Sequence, residues 1–466
     1  MPRGLTLARE PSRWGNRWLA LGALLAGAAA IRLAGVRYGL PFPLLNPGEE
    51  SIVPRAWSMS HGGGLDPDWF EYPSLLMYAI APFQSWTDDP SYLSARLVVV
   101  ALGLAGVAAA WWLGGRAYGT MAGFVAAAVT AVEVTHVEYS RMAVTDVPMT
   151  LGVAAALALM VTGRLPSAGA VIGIAAGFKY PAFTLLVPLV VAGWGQWRRL
   201  ALSAALAPLA FLVTSPYFAI HLGEALGDVR RVQELGRKGW LGFENDHAAP
   251  IAFVDRLWEG MGPALLVALL GLVLALVHRT YADRILAAFV LAYFATLLPL
   301  DAHFDRYVLP LVPALGALAG RVRALASVTL LLLVIPAVWA IGDTAPLRKT
   351  DTRVAAQDWM EENLTPGVLV AADPSTATPE SVRPLRLALP GPGRSPDPER
   401  DLGRLRELGV GYVVVTGAVA DLVTAAGDRY PRDVRFYDQL ERQGNRRFYR
   451  AANGKLAGPW VAVYEL

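Results

Sequence analysis

The stretch "NPGEE" (46–50) sets Glu49 and Glu50 directly behind a Pro-Gly turn, where the first long apolar run of the chain ends. Carboxylates are costly inside a bilayer and ordinary outside it, so an acidic pair at the end of a span marks candidate chemistry. The same first loop holds His61, Asp66, Asp68, Glu71 and Tyr72. "HVEYSRMAVTDVPMT" (136–150) adds His136, Glu138, Arg141 and Asp146, and "GFKYP" (177–181) adds Lys179 and Tyr180. "LDAHFDRY" (300–307) contributes His303 and Arg306. A carboxylate among these can take a proton from an attacking hydroxyl. The cations can hold an anionic leaving group and stabilise its developing charge. A single displacement of that kind inverts the attacked carbon, whereas a covalent carboxylate step retains it.

Each group also has a plainer role. A loop glutamate such as Glu50 is ordinarily just solvated. Thr145 or Asp146 can cap a helix whose first turn holds Pro148; alternatively, Arg141 meets Asp146 if the segment folds back. Lys179 can snorkel from a helix end, or sit beside unpaired backbone N–H groups as a phosphate seat. Arg306 can simply anchor the start of a span. His61, Glu138, Arg141 and His303 are candidates for holding an acceptor or sugar. A divalent cation, Mg or Mn, is compatible with Glu49 and Asp146 as ligands, with Glu50 and His61 beside them. No fixed metal-spacing motif supports it.

These groups depend on membrane helices for their position. The chain has 466 residues, 55% hydrophobic and only 17% charged, against about 25% charge in soluble proteins. Apolar runs recur from residue 18 to 343 and then stop, which predicts a polytopic all-α membrane module, 1–345, and a soluble domain, 346–466. A net charge of +3 without a basic, aromatic-rich patch argues against nucleic acid, and the absence of cysteine excludes thiolate chemistry and disulfides. Arg3, Arg9, Arg13 and Arg17 precede the first run, so the N-terminus is expected in the cytoplasm and "NPGEE" outside. Further spans are expected near 96–113, 119–135, 146–161, 167–178, 181–194, 200–216, 261–278, 284–300, 305–320 and 324–343. Segment 72–86 reads as interfacial or re-entrant, because that count keeps Arg116, Arg164, Arg198, Arg199, Arg279, Arg321 and Arg323 inside. The expectation is eleven spans, external loops at 37–95 and 217–260, and an external C-terminus. It makes 167–178 and 181–194 short spans hinged at Lys179-Tyr180-Pro181, since 12 helical residues cover about 18 Å of a core of roughly 30 Å. In the tail, 366–374 and 408–417 read as strands and 352–363 and 436–444 as helices, a small α/β or α+β domain. "LPGPGRSPD" (389–397) reads as an exposed loop.

Eight stretches in order carry a family resemblance: "NPGEE", "FEYPSLLMYAI" (70–80), "SARL" (94–97), "SRMAVTDVPMT" (140–150), "GIAAGFKYPA" (173–182), "LVTSPY" (212–217), "RYVLPLVPAL" (306–315) and "DTRVAAQDWMEENLTPG" (351–367). Together they resemble the bacterial branch of the dolichyl-phosphate-mannose–protein mannosyltransferases and aminoarabinose transferases, of glycosyltransferase family 39 type with the GT-C fold. The resemblance implies a polyprenyl-phosphate-linked sugar as donor and an acidic base in the first external loop. The family reads Asn-Pro-Asp-Glu; this chain has Gly48 at the aspartate and keeps Glu49. Either Glu49 or Glu50 takes over as base, or the chemistry is altered or absent. Asp146 matches the family's second acidic position. Lys179 matches a position near the donor phosphate, where Tyr180, Arg306 and Tyr72 are also expected.

The resulting expectation is a cell-membrane glycosyltransferase that passes a sugar to an extracytoplasmic hydroxyl on a protein, lipid or glycan. A catalytically inactive relative that binds lipid-linked sugar or a partner protein is the alternative. A transporter is a third reading, weakened because the charges gather at one face rather than mid-membrane.

Overall fold

A computed structural model describes residues 13–466; Arg3 and Arg9 lie outside the described residues. The chain is helical from Arg13 to Thr344, and mixed β structure begins at Thr350. Among the described residues three helices are long and apolar enough to cross a membrane: Tyr92–Tyr118, Trp197–Thr214 and the segment Arg323–Arg348. A fourth span results if Ala249–Met261 and Ala264–His278, bent by 119° at their junction, count as one. The expected eleven spans are thus not all helices of full crossing length. Thr120–Val132, Asp146–Val161, Leu165–Phe178 and Tyr180–Ala192 are shorter apolar helices, and 72–86 holds only the six-residue helix Leu75–Ile80 and a tight turn. The expected loop 217–260 is itself largely helical, as Tyr217–Ile220, Leu222–Lys238 and Ala249–Met261.

Local signals account for the elements that matter to the site. Helix Gly48–Ser60 starts where the Asn46 Oδ1 accepts the Gly48 N–H at 2.8 Å, and Glu49 and Glu50 complement the dipole of its first turn. Helix Tyr92–Tyr118 is capped by Ser91, whose hydroxyl accepts the Ser94 N–H, and ends at Gly119. Helix Leu165–Phe178 stops at Lys179, which is extended (φ −156°, ψ 130°), before a 3₁₀ turn with Pro181 in its first turn. This helix lies almost backbone to backbone on Trp197–Thr214. A Cβ on Gly169 would stand 2.1 Å from the Ser203 carbonyl oxygen, and one on Gly173 2.1 Å from that of Ala207. Glycines four apart permit that approach, as in membrane helix pairs generally.

The C-terminal region contains seven strands: β1 (Thr350–Asp351), β2 (Leu369–Ala372), β3 (Arg383–Arg386), β4 (Tyr412–Thr416), β5 (Asn445–Arg450), β6 (Leu456–Ala457) and β7 (Val461–Glu465). Five form one sheet in the order β3-β2-β4-β7-β5, parallel from β3 to β4 and antiparallel beyond, while β1 pairs with β6. Helices Thr352–Asn363 and Pro431–Gln443 pack with it. The region docks on the helical part through Arg353, whose Nη2 donates to the Leu44 carbonyl, and Arg394, stacked 4.2 Å from the ring centre of Trp240. The proline-rich loop around 389–397 therefore rests on Trp240 rather than standing free.

Candidate active site

Asp146 opens helix Asp146–Val161, and Lys179 occupies the break after Leu165–Phe178. Their side chains meet at 2.5 Å and both are buried. The Lys179 ammonium also lies 5.8 Å from the ring centre of Tyr72 and 5.1 Å from that of Tyr307. Tyr307 is shared: the Arg306 guanidinium stands 5.7 Å from it, 5.9 Å from Tyr139 and 4.2 Å from Phe304. Asp146, Tyr72, Tyr139 and Tyr307 all lie within electrostatic reach of Arg306. Among the described residues its guanidinium makes no hydrogen bond or ion pair; only its backbone N–H is engaged, by the Asp305 carboxylate at 2.8 Å. A cation held by ring faces and left without an acceptor is open to an anion. Four expected residues, Asp146, Lys179, Tyr72 and Arg306, thus come together.

The other expected residues are held elsewhere. Glu49 does not point into an open cavity; it is fully buried, with Oε1 and Oε2 gripped by Arg96 at 2.8 and 2.7 Å. Its Oε1 also accepts the Ala143 N–H at 2.8 Å, which ties helix Gly48–Ser60 to the segment that carries Asp146. Glu50 faces the opposite way, half exposed, 3.7 Å from Arg386 of the C-terminal region. Arg141 does not meet Asp146: its Nη2 donates to the Ile31 carbonyl and to the Thr344 hydroxyl, pinning the first helix to Val334–Thr344. Tyr180 donates to the Phe70 carbonyl at 2.8 Å and packs on Phe211 and Phe218, so it braces the hinge. His61 is exposed and stacked on Trp57. His303 is buried between Phe243 and Phe253, with Nδ1 3.2 Å from Asp246.

Glu138 is exposed, and among the described residues its carboxylate makes no hydrogen bond. Desolvation by the surrounding chain, with Asp305 and Asp343 adding and Arg141 opposing, pushes its carboxyl up to about 7; its contact with water works towards a smaller shift. It neighbours Tyr139, whose hydroxyl donates to Asp305 at 2.9 Å.

Three contributors carried no assigned role in the sequence: Tyr307, Tyr139 and Arg96. The first is adjacent to Arg306, the second to Glu138, and the third sits in "SARL". Adjacency to a charged candidate was the only signal for the tyrosines.

The residues present do not fit a divalent cation. Glu49 is saturated by Arg96 and a backbone N–H, Asp146 is paired with Lys179, and among the described residues no three His, Asp or Glu side chains converge. An ammonium within bonding distance of one proposed ligand repels a metal.

The family model for dolichyl-phosphate-mannose-protein mannosyltransferase matches residues 72–221. No curated protein sequence matches the chain. Solved structures of ArnT from Cupriavidus metallidurans, apo and bound to undecaprenyl phosphate, are each 16% identical with TM-score 0.57; they cover 96% and 97% of this chain and 98% of their own. The Archaeoglobus fulgidus oligosaccharyltransferase in complex with Zn and sulfate is 14% identical with TM-score 0.53, covering 92% of this chain and 72% of its own. The family match is confined to residues 72–221, and the distant likenesses to these solved structures show the fold: the chain has a GT-C-like architecture along nearly its whole length.

Proposed function

We propose that this chain is a membrane glycosyltransferase that moves a sugar from a polyprenyl-phosphate donor to an acceptor hydroxyl on the extracytoplasmic side. The observation that carries the reading is the pair Lys179 and Arg306, gathered on Tyr307 beside Asp146, with no hydrogen bond or ion pair on the Arg306 guanidinium among the described residues. Two cations on one aromatic ring suit a lipid-linked phosphate, and Tyr72 closes the other side of Lys179. The membrane supplies the lipid; a protein, lipid or glycan supplies the hydroxyl.

The chemistry follows from the resting ion pair. An incoming phosphate competes with Asp146 for the Lys179 ammonium. As the ammonium turns to the phosphate, Asp146 loses its partner and becomes the carboxylate that accepts the acceptor proton. The acceptor oxygen bonds the anomeric carbon while the sugar–phosphate C–O bond breaks, and the electron pair leaves with the phosphate, held by Lys179 and Arg306. Glu138, raised towards neutrality, is the next carboxylate in line. Glu49 and Glu50 act at a distance: Glu49 holds the Ala143 backbone, and Glu50 faces the C-terminal region.

Purified protein given a labelled polyprenyl-phosphate sugar, with a membrane extract as the source of acceptor hydroxyls, is expected to release free polyprenyl phosphate and pass the sugar to the acceptor. Lys179→Met and Arg306→Met should each weaken donor binding about 10- to 150-fold, the loss of one charge-assisted contact. Asp146→Asn should keep donor binding and cut turnover about 10²- to 10⁴-fold. Donor binding without release would favour the second reading, an inactive relative that binds lipid-linked sugar. Gly48 in place of the family's aspartate, with Glu49 closed on Arg96, is what favours it.

A further inference from the structure

A crevice of about 450 Å³ lies between the C-terminal sheet and the start of helix Gly48–Ser60, within the range of roughly 300–1,000 Å³ typical of small-molecule sites. We propose that it is a binding site for a neutral carbohydrate, the acceptor of the transfer reaction; this rests on the transferase reading above. The crevice is formed by the segments that follow the carboxyl ends of β2, β3 and β4. The chain goes from β2 to β3 on one side and later returns to β4 on the other. Ligands of open parallel sheets bind in the crevice made by such a reversal.

The walls are held by two buried arginines that the transfer site does not use. Arg353 is clamped by Asp351 and donates Nη1 to the Ser375 carbonyl at 3.3 Å and Nη2 to Leu44 at 3.1 Å. Arg400 bonds Asp373 at 2.6 Å, the Ala388 carbonyl and the Tyr437 hydroxyl, fixing the segments after β2 and β3 to each other. Ser375 holds φ +65°, an uncommon backbone for a residue other than glycine, and is kept there by Arg353. The site is therefore shaped without a ligand present.

The groups left for a ligand define its class. Asp373 and Arg353 are consumed within the walls. Glu50 and Arg386 line the opening 3.7 Å apart and cancel in charge. The hydroxyls of Ser375 and Thr378, and the part of the Trp240 ring that Arg394 and Phe304 leave uncovered, complete the polar and aromatic surface, while the Thr376 hydroxyl donates to the Asp373 carbonyl. Donors, acceptors and an aromatic ring without net charge suit the hydroxyls and C–H faces of a sugar, not a phosphate or nucleotide. The location agrees. Pro47 and Glu50 border the crevice, while Glu49 of the same turn accepts the Ala143 N–H, just ahead of Asp146. The turn Pro47–Glu50 thus borders the crevice on one side and, through Glu49, holds the segment that carries the transfer carboxylate on the other.

The test is saturation-transfer NMR on the full chain in detergent micelles. Methyl α-D-glucopyranoside, methyl α-D-mannopyranoside and maltotriose serve as neutral probes, and glucose 6-phosphate and AMP as charged ones. At least one neutral probe is expected to saturate strongly and the charged ones weakly. Affinity should fall about five- to tenfold in Trp240→Ala and be lost in Ala418→Trp, which fills the crevice from the start of helix Gly417–Ala425. Circular dichroism identifies the folded variants, and a drop in either supports the site. Lys179→Met should keep the signal. No neutral binding, stronger charged binding, persistence in the folded crevice variants, or loss in Lys179→Met each overturns the proposal. Release of polyprenyl phosphate without saccharide binding sinks the crevice alone; saccharide binding without release sinks the transferase reading.

Discussion

At the scale of residues, the Glu49–Arg96 pair decides how the first external loop is read. Both side chains have no exposure, and the guanidinium takes both carboxylate oxygens while donating Nη1 to the Val36 and Tyr38 carbonyls. Breaking such a buried pair leaves an uncompensated charge and costs about 3–5 kcal/mol, whereas replacing both members with apolar groups is often neutral. Glu49→Gln should therefore lower thermal stability in detergent sharply, and Glu49→Leu with Arg96→Leu should recover much of it. A stable Glu49→Gln with turnover cut a hundredfold would instead make Glu49 the base. The expectation of a base at Glu49 came from its neighbours in sequence; Arg96, 47 residues away, is what closes it.

At the scale of elements, the broken helix is the piece that carries the site. Leu165–Phe178 lies tightly on Trp197–Thr214 through Gly169 and Gly173, and Lys179 follows at its end. The packing surface and the donor cation are thus on one rigid rod. Gly173→Leu would drive a side chain into the Ala207 carbonyl and the Phe211 N–H, so the helices must separate. Overpacking of this kind costs about 1–3 kcal/mol or more. The variant should lose stability and donor affinity together, as the end of the rod swings from Asp146. Gly22→Leu, where nothing stands within 4 Å, should change neither. Donor affinity that survives in a destabilised Gly173→Leu would separate the hinge from the packing.

At the scale of the whole molecule, the C-terminal region is joined to the helical part and helps to build its outer surface. Tyr430 donates to Glu244, Arg394 covers Trp240, and Arg353 reaches Leu44. This arrangement requires the first loop and the C-terminal sheet to be on one face of the membrane. Cysteines introduced at Ser60 and Ser395 should both label with an impermeant thiol reagent in intact cells, and one at Arg164 should not. The native chain has no cysteine to interfere. Labelling at position 164 together with Ser60 would overturn the orientation and move the Asp146 segment to the other side.

What the sequence determined by itself is what neighbouring residues control. The apolar runs set a helical body associated with a membrane, Tyr180-Pro181 ends the helix before it, and the β-rich runs mark β2 and β4 of the small C-terminal sheet, whereas β3, β5 and β7 carried no signal read from the sequence. Helix ends, turns and strand runs are local, so their signals are written close by. The side-chain partners are not. Asp146 meets Lys179 across 33 positions, and Arg141 leaves its near neighbour Asp146 for Thr344, 203 positions away. Tyr307 gathers two cations from different elements. Which charges are closed against a partner and which stay open for a ligand depends on burial and on the crossing of distant helices. Only the tertiary structure decided that Glu49 is shut and that Arg306 is open.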